Sequence, residues 1–155
     1  NTGNTAKMAD LVAEGAGRVS DIEVRIRSIE EANVEDLKWW DDLIDDDIWP
    51  YIDGKFGCSF SSAGSIGGGQ DLNCMTLNVI LMNFGFLVFG LTDYTGPGLS
   101  AHYGVGQRGD PRSDGEKEAC ARLGQRLAEW VSVYVDHNPD SHPLKQKYKR
   151  LPSDY

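Results

Sequence analysis

Apolar residues along the chain fall into two rhythms. Lys55-Phe56-Gly57-Cys58-Ser59-Phe60-Ser61 and Phe86-Leu87-Val88-Phe89 are short apolar runs bounded by glycines. That is the pattern of parallel strands covered on both faces. Between them Leu72, Met75, Val79 and Met82 recur at helical spacing, widened by Leu77, Ile80, Leu81 and Phe84, which predicts a largely buried helix from Gln70 to about Phe84. The three segments make one βαβ unit with its strands side by side. The intervening turn, Ser62-Ala63-Gly64-Ser65-Ile66-Gly67-Gly68-Gly69, is unusually rich in glycine.

The remaining periodicity fills out an α/β chain. Met8, Leu11, Val12 and Ala16 mark the buried face of a first helix. Glu23-Val24-Arg25-Ile26-Arg27-Ser28-Ile29 alternates polar and apolar residues and predicts a half-exposed edge strand. A short acidic helix follows from Val34 to Trp39, and Trp40, Leu43, Ile44 and Ile48 give the next segment one apolar face. Thr92 to Arg112 reads as a long loop without secondary structure of its own, the kind that is usually functional or disordered. Ser113-Asp114-Gly115-Glu116 is a capping box opening a helix to about Asp136, with Ala119, Leu123, Leu127, Trp130 and Tyr134 inward. Beyond it, Pro139, Pro143 and the charged end from Lys145 to Tyr155 read as a polar tail. The expected division is therefore a domain over 1–136 and a tail over 137–155.

A length of 155 residues suits one core. The net charge of −9 argues against a nucleic-acid partner, since little here would neutralise phosphates. Asp41, Asp42, Asp45, Asp46 and Asp47 read as a solvated face rather than a metal cluster. Cys58, Cys74 and Cys120 are isolated among apolar neighbours, without metal-ligand spacing, and fit small core residues in a reducing cytoplasm. No leader or membrane-length apolar run is evident, so a cytoplasmic location is expected.

Two loops carry the candidate chemistry. Asn1-Thr2-Gly3-Asn4-Thr5 precedes the first helix, where backbone N–H groups, small polar side chains and the helix dipole could receive a phosphate monoester. The alternative is that Asn4 or Thr5 simply caps the helix. Ser61 to Gly69 leaves the carboxyl end of a parallel strand, where open α/β sheets place their ligands. Its glycines allow either close approach of a flat ligand or merely a flexible turn. His102 and Tyr103, in the later loop, could face that crevice or pack the loop down.

Together these motifs resemble the flavodoxin-like family, over nearly all of Asn1 to Val135. Thr2-Gly3-Asn4-Thr5 looks like the end of its phosphate loop. Phe60-Ser61-Ser62-Ala63-Gly64 with Gly67-Gly68-Gly69-Gln70, Met82 to Gly90, and His102-Tyr103-Gly104 resemble its NAD(P)H:quinone oxidoreductase branch, the tryptophan-repressor-binding-protein type. The resemblance implies a three-layer α-β-α sandwich around a parallel sheet, and FMN as cofactor. Its implied contacts are Asn1, Thr2, Gly3, Asn4 and Thr5 at the phosphate and Ser61, Ser62, Ala63, Gly64, Gly67 and Gly68 along the isoalloxazine. His102 and Tyr103 would be on the substrate side, although Asn83-Phe84 stands where the branch often has a histidine pair. It further implies electron transfer from NAD(P)H to a quinone-like acceptor, with a flavodoxin-type single-electron carrier as the alternative, possible redox-protein partners, and self-association.

The chain departs from the family in lacking its first strand, before the phosphate loop, and its third, between positions like Trp39 and Trp40. Without them strand 2 has nothing to join it to strands 4 and 5. If residues are omitted there, the Cα atoms of Trp39 and Trp40 should lie well beyond the ~3.8 Å of a trans peptide.

Overall fold

The computed structural model describes residues 3–32, 52–92 and 99–143. Several expectations fall outside them: Asn1 and Thr2, the helix over 34–39, the aspartate run at 41–47, the Trp39–Trp40 junction, and the end of the chain from 145. Helix α1 is Asn4–Ala16, strand β1 is Phe56–Gly57 and β2 is Phe60–Ala63. Helix α2, Gln70–Asn83, leads to strands β3, Leu87–Val88, and β4, Val105–Arg108; helix α3, Asp114–Tyr134, is followed by a 3-10 turn at Pro139–Ser141.

The βαβ reading holds, with one correction. The first apolar run is two strands rather than one, because two different segments pair with it in succession. Phe56 and Gly57 pair in parallel with Leu87 and Val88, and Phe60 to Ala63 pair in parallel with Val105 to Arg108. Backbone bonds from Leu87 to Lys55, Phe89 to Gly57, Val105 to Ser59 and Gly109 to Ala63 run the two ladders end to end along one line. The supposed loop Thr92 to Arg112 thus contains a strand. Val105-Gly106-Gln107-Arg108 has no strand-like apolar pattern, and it becomes one by completing this ladder.

Helices α1 and α3 pack on one face with unusually close backbones. A Cβ on Gly15 would lie 1.6 Å from the Ala121 carbonyl oxygen, and one on Gly124 would lie 1.8 Å from that of Val12. Around this contact Met8, Leu91, Ala101, Val105, Ala119, Cys120 and Leu123 form the core, joined by Leu11, Val12, Cys58 and Phe60. The expected inward face of α3 is corrected at its end, where Tyr134 is exposed and stacks on Trp130. The stretch read as the start of a tail packs against α3: Ser132 Oγ donates to Ser141 Oγ at 3.0 Å, His142 meets Trp130 edge-on, and Pro143 is buried.

On the other face α2 corrects the expectation of burial. Only Cys74 is buried, while Leu72, Met75, Leu77, Val79, Ile80, Met82 and Phe84 are exposed. Among the described residues each ladder is two strands wide, so only a narrow seam is covered, with Leu81 against Gly57. A helix apolar all round needs a broader sheet than about 10 Å to hide it. The same shortage explains residues 22–28. They form no strand, with Val24 and Ile26 exposed, and among the described residues no segment pairs with them.

Candidate functional site

The two glycine-led loops come to the same end of the molecule. Helix α1 starts at Gly3, whose φ of 67° is left-handed, and no side chain caps it. The possibility that Asn4 or Thr5 serves as the cap is therefore excluded; Asn4 is already the first helical residue. The opening amides of Asn4, Thr5 and Ala6 have no acceptor within the helix, and they lie at the positive end of its dipole. Among the described residues, a Cβ on Gly3 would meet nothing within 4 Å.

Helix α2 begins in the same way. Gly69, with φ 86°, is its N-cap and again no side chain closes it. Gly67 is also left-handed, and Gly68 is pressed against Ala63, leaving 2.7 Å between their β-carbon positions. The loop folds on itself through Gly68 N–H to Ser65 O at 3.1 Å and Gln70 Nε2 to Ser65 O at 3.3 Å. Gly64, Ser65, Ile66, Gly67 and Gly68 are exposed, whereas Ser61 is buried and accepts from Asn73 Nδ2 at 3.4 Å.

Gly109 joins the two openings. Its N–H donates to Ala63 O at 2.8 Å and its carbonyl accepts from Ser62 Oγ at 2.6 Å. The position of a Gly109 Cβ lies 3.9 Å from Asn4 Nδ2 and 3.6 Å from Arg112 Nη2. Gly3, Asn4 and Thr5 therefore stand beside the strand end from which Ala63 and Gly64 depart. Asp110 next to it takes Lys7 Nζ at 2.9 Å and Arg112 Nε at 3.2 Å. Those bonds, Lys7's first and Arg112's second, hold the Asp110 carboxyl down at about 2.

Sequence reasoning missed this turn. Gly109-Asp110-Pro111-Arg112 did carry a turn signal, a glycine able to take positive φ followed by Asp-Pro. Its relevance depends on a partner far away in sequence, Ala63.

His102 and Tyr103 are not brought to this end. They precede β4 at its amino end, opposite Ser59 rather than Ala63. The His102 ring Nδ1 is 3.0 Å from Leu91 O, and Asn78 Nδ2 donates to Tyr103 O at 2.7 Å while Asn78 Oδ1 accepts from Ser59 Oγ at 2.9 Å. Both contacts fasten the loop midway along the paired strands. Burial, with a lesser contribution from Cys74 at Cys58 and from Glu116 at Cys120, pushes the Cys58 and Cys120 thiols up to about 12. Neither is a thiolate near neutrality. Among the described residues no group of His, Cys, Asp or Glu is placed to hold a metal, and no helix is long and apolar enough to cross a membrane.

Against known proteins, the chain is 46% identical over 175 aligned positions to a protein described as flavodoxin from Aquifex aeolicus, covering 99% of this chain and 93% of that one. Because 99% of 155 residues fill 175 positions, about 20 positions face a gap in this chain. A flavodoxin from Clostridium saccharobutylicum is 31% identical over 109 residues, 57% of this chain and 66% of that protein. No family model matches the chain.

Proposed function

The chain belongs to the flavodoxin family, and from that premise we propose that it binds FMN and carries single electrons between larger redox partners. The observation that carries this reading is the junction at Gly109, which puts the open start of α1 beside the strand end that leads into the glycine loop. FMN, when bound, supplies the redox chemistry.

The residues do the holding. Gly3, Asn4 and Thr5 offer amide N–H groups, a side-chain amide and a hydroxyl to the phosphate, and Gly64, Gly67, Gly68 and Gly69 let a planar ring approach the backbone. Ser61, Ser62 and Ala63 fix the strand end beneath, through Asn73 and Gly109. Asn1 and Thr2 belong to the same loop in sequence. The net charge of −9 favours encounter with basic partners, since electrostatic steering raises association rates.

Transfer of electrons from NAD(P)H to a quinone is the second reading, supported by the exposed glycine loop, which leaves room for a small acceptor. The carrier stands first because both relatives are described as flavodoxins and because His102 and Tyr103 are fastened away from the proposed ring site. Redox titration and steady-state assay of the FMN-loaded protein separate the two. Two resolved one-electron steps without NAD(P)H turnover support the carrier; sustained NAD(P)H oxidation on adding a quinone contradicts it.

A further inference from the structure

Helix α2 carries side chains for two different neighbours. Cys74, Asn78 and Leu81 face the ladders: Cys74 is buried, Asn78 Nδ2 donates to Tyr103 O at 2.7 Å, and Leu81 lies against Gly57. Leu72, Met75, Val79 and Met82 lie on another side of the helix and are 44 to 66% exposed. Their steps of three, four and three residues put them in one line, about 15 Å from end to end. That is the spacing of an a/d seam, whose side chains pack between those of a second helix carrying the same line. Thr76 and Asn83 border the seam on its solvent side and are polar but uncharged.

Asp71 is the only charged residue among the fourteen of α2, against seven among the twenty-one of α3. In a chain of net charge −9, two copies can meet on this face without setting like charges side by side, whereas a basic partner finds little on it to engage. We propose that the seam of Leu72, Met75, Val79 and Met82 is the interface of a homodimer, in which α2 packs antiparallel on the α2 of a second copy across a twofold axis. Leu72 then opposes the partner's Met82, and Met75 opposes the partner's Val79. The antiparallel sense sets the helix dipoles head to tail and puts the two Asp71 residues about 18 Å apart along the axis, beyond the ~8 Å Debye length at physiological salt. A parallel pair would set them side by side. Four side chains from each copy make a small contact, below the ~1,200 Å² typical of stable interfaces, so the dimer forms and dissociates with concentration.

The test is sedimentation equilibrium of the full chain for the wild type, Leu72→Glu, Val79→Glu and Leu77→Glu. Leu77 is also exposed but sits on the other flank of the same helix, so it controls for added charge. The wild type is expected to pass from 17.1 kDa to twice that mass with a dissociation constant of about 10 to 100 µM. Leu72→Glu and Val79→Glu should each raise that constant at least about tenfold, and Leu77→Glu should leave it within about twofold. Native circular dichroism is expected of all three, because each position is exposed; should one seam variant lose it, the other decides. A wild type that stays at 17.1 kDa up to about 500 µM, or that assembles beyond twice this mass, overturns the inference. So does a dimer that Leu77→Glu weakens as much as the seam variants do, or one that neither seam variant weakens.

Discussion

Among the described residues, two α-helices begin open and one begins closed. At α1 and α2 the N-cap is a left-handed glycine with no side-chain acceptor, Gly3 and Gly69. At α3 Ser113 Oγ accepts from Glu116 N at 3.2 Å while Glu116 Oε2 accepts from Ser113 N at 2.9 Å. All three starts present the same orphan amides and the same positive dipole end. The capping box answers that demand internally and stabilises the fold; the glycine starts carry no side-chain cap. The open starts also converge, through Gly109, while the closed one anchors the turn that brings them together.

The comparison can be broken most severely through the scaffold it hangs from. In Gly15→Leu the new side chain would enter the Ala121 backbone, separating α1 from α3. We expect a loss of about 3 kcal/mol and a fall of about 10 °C in melting temperature, followed by circular dichroism, with flavin binding lost in parallel. Gly69→Val forces a β-branched residue into φ 86° at the open start of α2. Its predicted signature is about tenfold weaker FMN binding, with a smaller fall in melting temperature than Gly15→Leu gives.

Ser113→Ala should do the reverse. Loss of the cap costs about 1 kcal/mol in denaturant unfolding and leaves FMN affinity unchanged. The smallest effect is in pH. The backbone bonds from Ser113 and then Arg112 lower the Glu116 pKa below 4.5. Its contribution to stability is thus full above pH 4.5 and disappears as the pH falls through the lower folded value. Glu116→Gln should flatten that acid limb of the stability profile and alter nothing at neutral pH.

What the sequence disclosed and what it hid divide along the range of the interactions. The α3 cap was legible because Ser113 and Glu116 are three residues apart, and α2 because its glycine and its apolar repeat are local. The pairing of Phe56 with Leu87 followed from one βαβ unit. Strand β4 was hidden because Gly106 and Gln107 have no strand propensity of their own, and the ladder with Ser61 and Ser62 decides their conformation. The alternation at Glu23 to Ile29 misled for the converse reason, since a pattern makes a strand only with a partner and none pairs with it among the described residues. At the site, Gly3 and the Ser61 to Gly69 loop were evident as glycine-rich segments. Lys7, Asp110 and Arg112 looked like ordinary surface charges until the fold brought positions 7 and 110 within 2.9 Å.

The central claim is that the open starts of α1 and α2 receive a ligand and the closed start of α3 does not. Amide-resolved NMR of the chain titrated with FMN tests it most directly. The account predicts that the largest shifts fall on Asn4, Thr5 and Ala6 and on Gly67 to Asp71, while Glu116 and Lys117 stay in place. Shifts concentrated at the α3 cap, or no movement at either glycine start, would contradict it.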